Sequence, residues 1–137
     1  MAHTRFQVEV VTPEGPAFSE EVEMVSTRTT LGLIGILANH EAMIATLEPT
    51  ELRIYRSESE IVRFAQSEGY IRVGGNHVTL LVEDAKAPEQ LDVATVRERL
   101  AEAEREIHDA GDDTERRRVA LRDQKRWKVF LDIAEGR

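Results

Sequence analysis

The chain has 137 residues, 41% of them hydrophobic and 5% aromatic, which suits one ordinary domain or a small domain with an appendage. Its net charge of −8 argues against binding to nucleic acid or directly to anionic lipid, because both require clustered basic side chains. The absence of cysteine excludes disulfides, thiolate metal sites and a cysteine nucleophile.

The start of the chain gives no sign of a targeting segment. Residues 1–6 contain no apolar run like that of a signal peptide. No stretch approaches the roughly 18 consecutive apolar residues that are typical of a membrane span. We therefore expect a cytoplasmic protein that meets a membrane only through protein partners.

The first part of the chain alternates apolar and polar residues, as half-buried strands do. This pattern predicts strands over residues 6–10, 22–27, 52–56, 61–65, 69–73 and 77–82. Clusters of Pro, Gly, Asn and Ser predict turns over residues 12–16, 56–60 and 74–76. Many short strands with regular turn signals favour an antiparallel sandwich or barrel.

From Ala85 onward the pattern changes to a helical one. Apolar residues recur at spacings of three and four from Leu91, and Asp92 is the expected N-cap of a first helix. Residues 110–113 interrupt the run, with Gly111 ending that helix and an aspartate capping the next. So short a loop predicts an antiparallel hairpin of two helices. Their apolar positions are Val93, Val96, Leu100, Ala103 and Ile107, then Ala120, Trp127, Leu131 and Ala134.

Charge is distributed unevenly along the chain, with net values of −6 for residues 1–88, −4 for 89–111 and +2 for 112–137. The last helix is thus the basic segment of an acidic protein. One interpretation is a solvated helix that balances its acidic neighbour, and the other is a mobile arm that docks on an acidic protein surface. The basic residues concerned are Arg116, Arg117, Arg118, Arg122, Lys125, Arg126 and Lys128.

A catalytic constellation is not evident in the sequence. The four histidines, at positions 3, 40, 77 and 108, are not at metal-ligand spacing, and no nucleophile motif or phosphate-binding loop is present. Residues 32–35 contain two glycines but lack the rest of a dinucleotide fingerprint. We therefore expect no catalytic residue, no metal and no cofactor.

Residues 35–47 form an apolar stretch interrupted by Asn39, His40 and Glu41. The structural interpretation is a β-turn in which Asn39 tolerates an unusual φ and His40 bonds a nearby carbonyl. The functional interpretation is a surface loop that presents His40 to a partner.

An ordered set of segments resembles the epsilon subunits of rotary ATP synthases. It comprises residues 10–15, 18–19 and 22–25, then 32–40, which looks like that family's Gly-Glu-Ile/Leu-Gly-Ile-Leu-Pro-Asn-His loop, then 51–54, 64–70 and 76–81. The matched segments cover about 80 residues in the family's order, and the predicted helical hairpin falls where the family has one.

The resemblance implies an α+β fold: a ten-stranded antiparallel β-sandwich over residues 1–87 and a two-helix antiparallel hairpin over residues 88–137. It further implies a non-catalytic rotor component of the central stalk at the cytoplasmic face of the cell membrane. The sandwich would bind the gamma subunit and the c-ring, coupling proton flow to ATP synthesis. The hairpin would meet the alpha and beta subunits and restrain ATP hydrolysis, with the basic residues of the last helix as its docking side chains.

The resemblance places the contact with the c-ring and gamma at Leu33, Gly35, Ala38, Asn39, His40 and Glu41. Two of these positions depart from the family, since Leu33 stands where a glutamate is usual and Ala38 where a proline is usual. Leucine makes no ionic contact, so we expect a more apolar interface, or one that uses His40 or Glu41.

Some bacterial members bind ATP through an Ile/Leu-Asp-x-x-Arg-Ala motif at the start of the first helix. Leu91 and Asp92 match its first two positions, but Thr95 and Val96 replace the Arg and Ala. Without that cation a triphosphate lacks a partner, so Leu91 and Asp92 are weak candidates. The alternative to the rotor assignment is an adaptor protein, unrelated to ATP synthesis, with a β-sandwich and a helical binding arm.

Overall fold

The computed structural model describes residues 4–136, which form ten β-strands, a short 3-10 helix and two α-helices. The chain divides between Ala87 and Pro88 into two compact units, one built from strands and one from helices. His3 and the beginning of residues 1–6, the segment in which no signal-peptide pattern is expected, lie outside the described residues. The strands are β1 (Phe6–Thr12), β2 (Gly15–Val22), β3 (Met24–Thr29), β4 (Gly32–Ile36), β5 (Met43–Leu47), β6 (Thr50–Tyr55), β7 (Ile61–Gln66), β8 (Gly69–Gly74), β9 (His77–Val82) and β10 (Ala85–Lys86).

Hydrogen bonds join the strands in the order β10-β7-β6-β3-β5-β8-β9-β1-β2, with β4 paired to β3 beside this path. The predicted antiparallel sandwich of ten strands is confirmed, with one exception: β1 runs parallel to β9, where Val8 lies opposite Val78. The exception arises because the first strand of the unit inserts between its neighbour β2 and the last long strand.

The core of the strand unit is aliphatic, as the low aromatic content predicts. Alternate residues of β1, Phe6, Val8 and Val10, are buried while Gln7 and Glu9 are partly exposed. The other fully enclosed side chains come from the neighbouring strands, including Val22, Val25, Ile36, Leu52, Ile54, Ile71 and Leu80. Alternation with period two therefore places one face of each strand inside and leaves the other to solvent.

Two of the predicted boundaries require correction. The turn expected over residues 12–16 is confined to Pro13 and Glu14, because Gly15, with φ of 120°, already begins β2. The strand expected over residues 22–27 is broken at Glu23, whose main-chain N–H donates to the Tyr55 carbonyl at 2.8 Å. The predicted tight turn at residues 74–76 is confirmed, with Gly75 and Asn76 both at positive φ (59° and 56°).

The helical unit begins with the 3-10 helix Pro88–Gln90, followed by α1 (Val93–Ala110) and α2 (Thr114–Ala134). Asp92 precedes α1 at the predicted N-cap position, but its side chain makes no cap hydrogen bond to the main chain. Gly111 ends α1 as predicted, and the Asp113 side chain caps α2 by accepting from the Arg116 main-chain N–H. The heptad-spaced residues Val96, Ala103 and Ala110 are buried on one face of α1. In α2 the buried residues are Ala120 and Phe130, and Phe130 was not among the predicted apolar positions although it lies three residues after Trp127.

Neither helix is apolar over a length sufficient to cross a lipid bilayer; this holds for the described residues, 4–136.

Candidate functional site

The loop between β4 and β5, residues 37–42, is fixed by an asparagine pair. The Asn39 main-chain N–H donates to the Asn76 side-chain oxygen at 2.6 Å, and the Asn76 amide donates to the Asn39 side-chain oxygen at 3.2 Å. Asn39 has a φ of 66°, a left-handed conformation that asparagine tolerates better than most residues. The loop is thereby tied to the β8–β9 turn.

His40 has a local role in this loop. Its Nδ1 lies 2.8 Å from the Glu41 carbonyl oxygen, and because a carbonyl only accepts, the proton is on Nδ1. This is the β-turn with a carbonyl-bonded histidine that the structural interpretation predicts. The ring's other nitrogen and the exposed Glu41 remain available for the functional interpretation, which no contact within the chain tests.

The predicted interface residues belong to two neighbouring elements. Leu33 and Gly35 lie on β4, and the Leu33 side chain is 69% exposed. Ala38 packs partly against the core, so it positions the loop more than it presents a surface. The role of all these residues in binding a partner stays a prediction.

Three further exposed apolar residues lie beside Leu33 and were not predicted from the sequence. Leu31, Ile44 and Tyr70 are 98%, 76% and 59% exposed, and all three line one groove with Leu33. The sequence carries no signal for Ile44, because Met43 and Ala45, which β5 directs inward, and Ile44, which it directs outward, are all apolar. We call Leu31, Leu33, Ile44 and Tyr70 the β4–β5 patch.

The basic side chains of α2 are engaged within the helical hairpin. Arg116 bonds Glu106 of α1 at 2.7–2.8 Å, which raises the pKa of the Arg116 guanidinium. Arg117 donates to the Ile107 carbonyl at 3.2 Å, near the end of α1 where main-chain carbonyls lack helical partners. This arrangement favours the interpretation in which the basic helix balances its acidic neighbour.

The remaining basic positions make contacts within α2. Arg118 grips Glu115 through two hydrogen bonds of 2.6 and 3.1 Å, and this hydrogen bonding lowers the pKa of Glu115. Arg122 bonds Asp123 at 3.1 Å, and the Arg126 guanidinium lies 6.0 Å from the centre of the Trp127 ring. Lys125 is exposed on the same helix. Docking of these side chains on a partner stays a prediction.

At the start of α1, the candidate ATP-binding residue Asp92 bonds a residue of the same segment. The Thr95 hydroxyl donates to the Asp92 carboxylate at 2.6 Å, and this bond lowers the pKa of Asp92. Thr95 stands at the position of the motif's arginine, so the residue that departs from the motif bonds the aspartate that matches it. Leu91 is half-buried beside it.

Residues 4–136 contain no cluster of side chains arranged to hold a metal ion. In that range no three His, Asp or Glu side chains converge as metal ligands would. His77 Nε2 lies 3.3 Å from the Glu9 carboxylate across the β1–β9 pair, which is a cross-strand contact at the surface.

Comparison with known proteins adds to this geometry. Residues 5–88 match the family described as ATP synthase, Delta/Epsilon chain, beta-sandwich domain. Among solved structures, a chain of the Euglena gracilis mitochondrial ATP synthase superposes with a TM-score of 0.76 at 19% identity, covering 94% of this chain and 81% of that one. A chain of the Tetrahymena thermophila mitochondrial ATP synthase gives 0.54 at 20% identity, covering 66% and 72%. The two likenesses support the fold, which is that of the delta/epsilon class of ATP synthase subunits.

Relatives with similar sequences distinguish between the delta and epsilon chains of this class. The ATP synthase epsilon chain of Priestia megaterium is 41% identical over 107 residues, 77% of this chain and 78% of the relative. That of Herpetosiphon aurantiacus is 35% identical over 133 residues, 96% and 95% of the two chains, so the likeness includes the helices. The chain belongs to the ATP synthase epsilon chain family.

Proposed function

We propose that this chain is a non-catalytic component of the central stalk, which rotates with the gamma subunit and the c-ring. It couples proton flow through the ring to ATP synthesis by the alpha and beta subunits. It is held at the cytoplasmic face of the cell membrane by these protein partners. The observation that carries the proposal is the family likeness over both units, at 35% identity and 96% coverage.

The strand unit suits a part that transmits torque. All ten strands belong to one hydrogen-bonded sheet around an enclosed core, so deforming the unit requires breaking main-chain hydrogen bonds and exposing apolar side chains. The β4–β5 patch and the loop held by Asn39 and Asn76 present apolar and polar groups for partner contacts. The proposed c-ring and gamma contacts lie at Leu33, Gly35, Ala38, Asn39, His40 and Glu41.

Three polar side chains of types that often act in catalysis make local contacts in this chain. His40 bonds the Glu41 carbonyl, His77 contacts Glu9, and Asp92 accepts the Thr95 hydroxyl. These contacts support a binding role for the chain and leave the chemistry to other subunits.

The helical unit is a regulatory arm that restrains ATP hydrolysis. Its two helices are joined by a short turn and each buries a few apolar residues. The surface ion pairs between them, such as Arg116–Glu106, are individually weak. Side chains bound this weakly can exchange their partners for acidic groups on the beta subunit. The arm therefore has two states whose free energies differ little.

Two measurements test the proposal. The tagged full-length chain, mixed with a complex depleted of its own epsilon chain, should retain gamma, alpha and beta through purification. A chain lacking residues 89–137 should still assemble and support ATP synthesis, while hydrolysis by the complex rises several-fold over the full-length control. Failure to retain gamma would refute the rotor assignment, and unchanged hydrolysis would refute the inhibitory arm alone.

A further inference from the structure

Strand β4 has a free edge. It pairs with β3 through five residues from Gly32 to Ile36, and no other strand of the described chain pairs with it. The Glu48 main-chain N–H donates to the Arg28 carbonyl at 2.9 Å, so the main-chain groups of Arg28 point away from β4. Main-chain groups of successive strand residues point to alternating edges, so those of Thr27 and Thr29 point toward β4.

The register of β3 and β4 then identifies which main-chain N–H and C=O groups of β4 make no hydrogen bond to a neighbouring strand. Thr27 lies opposite Ile34 and Thr29 opposite Gly32, so Ile34 and Gly32 direct their N–H and C=O toward β3. The N–H and C=O of the intervening residues, Leu33 and Gly35, point to the free edge. An exposed row of this kind is a template for pairing with another chain.

Proteins normally protect such an edge, and both end strands of this sheet, β10 and β2, are protected. β10 is only two residues long and ends on Lys86. β2 carries Pro16, Glu20 and Glu21, which discourage pairing with a further strand. The sequence of β4 is Gly-Leu-Ile-Gly-Ile, with neither a charge nor a proline. β4 thus differs from both end strands, and an edge without such protection favours pairing with another chain.

The surface next to this edge selects for an uncharged occupant. The β4–β5 patch borders a groove of about 540 Å³, and no lining residue among those described carries a charge. In a chain with 32% charged residues, an uncharged groove with side chains as exposed as Leu31 and Ile44 disfavours a charged ligand, which would lose its hydration there without gaining a partner. Lipid tails would fill the groove but leave the N–H groups of β4 unbonded.

We propose that an uncharged, extended segment of a protein partner adds to β4 as a further strand, bonding the main chain of Leu33 and Gly35 and placing apolar side chains in the groove of the β4–β5 patch. The inference rests on the proposed function in one respect: the partner is a subunit of the ATP synthase. It gives the Leu33 surface a backbone-directed, salt-insensitive mode of contact.

The test is residue-resolved hydrogen exchange on the full-length chain, free and assembled with an ATP synthase complex depleted of its own epsilon chain. The Leu33 and Gly35 amides should exchange at least tenfold more slowly in the complex. The Ile34 amide, already bonded to β3, should change less and serves as the internal control. Assembly without slowing at Leu33 and Gly35 would overturn strand addition and leave the proposed function standing.

A matched pair of variants tests the groove. Leu33→Lys should weaken assembly at least tenfold, whereas Leu121→Lys, which alters a 43% exposed leucine of α2, should not. Raising the salt concentration should leave the slowed exchange of the Leu33 and Gly35 amides in the wild-type complex unchanged, and its loss at high salt would overturn the uncharged contact. Slowed exchange already present in the free chain at high concentration would identify a second copy as the occupant and overturn the proposal. Failure of the wild-type chain to assemble would refute the proposed function, and this inference with it.

Discussion

Gln66 is a fully buried amide whose hydrogen-bonding groups are all used. It accepts from the Thr27 hydroxyl at 2.6 Å and donates to the carbonyls of Glu48 and Ser67 at 2.9 and 3.1 Å. One side chain thus joins β3, β7 and the β5–β6 connection. A buried polar group is tolerable only when its partners are complete, so Gln66 specifies the register of these strands.

Replacing Gln66 with methionine should lower the free energy of unfolding by about 1–3 kcal/mol, because the Thr27 hydroxyl and two carbonyls lose their partner without gaining water. Gln66→Met combined with Thr27→Val should cost less than the sum of the two single variants, since the orphaned hydroxyl is also removed. The control is Gln7→Met, which removes a similar bond to Ser19 at the surface and should cost less than about 0.5 kcal/mol. Urea unfolding would measure all four, and additive costs would contradict the network.

Side-chain contacts join β2, one end strand of the sheet, to the β6–β7 region. Arg56 makes two hydrogen bonds to Glu20 at 2.7 and 2.9 Å and lies over the Phe18 ring at 5.9 Å. Phe18 in turn meets Phe64 of β7 edge-to-face, with ring centres 6.3 Å apart. Hydrogen bonds along the strands do not join these elements, so side chains complete the sandwich.

This closure should weaken in acid. The Arg56 hydrogen bond lowers the pKa of Glu20 below its ordinary value of 4.5, so the folded state favours the ionised carboxylate. The stabilisation is complete above pH 4.5 and is lost as the pH falls through the lower folded-state value. Melting temperatures measured across this range should fall less steeply for Glu20→Gln than for wild type. Glu21→Gln, one residue along β2, should retain the wild-type slope, and an unchanged slope in Glu20→Gln would contradict the assignment.

Alternation and turn chemistry predict most elements because both act within a few residues of the chain. They find β1, β6, β7, β8 and β9, and the caps at Asp92, Gly111 and Asp113. They do not find β4 and β5 as separate strands, because each strand carries apolar residues on both of its faces: Leu33 and Ile34 in β4, and Met43 and Ile44 in β5. Nor do they find the parallel pairing of β1 with β9, which depends on contacts about 70 residues apart.

The candidate site was predictable to a similar degree. The loop at Asn39 and His40 follows from local residue chemistry, whereas Leu31 and Tyr70 join Leu33 only because strands distant in sequence meet. The helical unit shows the same limit. Helical spacing identified Ala120 and Trp127 as apolar positions of α2. Phe130, which is buried, lies outside the helix face that this spacing defined.

Charge distinguishes α2 from the rest of the chain. The strand unit and α1 are acidic, whereas residues 112–137 carry a net charge of +2. The ion pair Arg116–Glu106 and the bond from Arg117 to Ile107 show that the basic residues already have acceptors within the hairpin. In the proposed docked state, an acidic partner surface must compete with these contacts. The outcome of that competition depends on ionic strength, since exposed pairs are screened within about 8–10 Å.

Neutralising the three adjacent arginines of α2, Arg116, Arg117 and Arg118, with glutamine should raise ATP hydrolysis by the assembled complex several-fold. The proposed inhibited state loses the charges that meet an acidic partner, whereas ATP synthesis should change little. Added salt should raise hydrolysis by the wild-type complex toward the same level and have a smaller effect on the variant.

The matched control is Glu106→Gln, which frees Arg116 from its partner in α1 without removing a positive charge, and it should strengthen inhibition or leave it unchanged. Far-UV circular dichroism establishes that each variant retains its helices. Equal inhibition by the triple variant at low salt would show that the arm acts through its apolar residues, since its charges would then contribute nothing to docking.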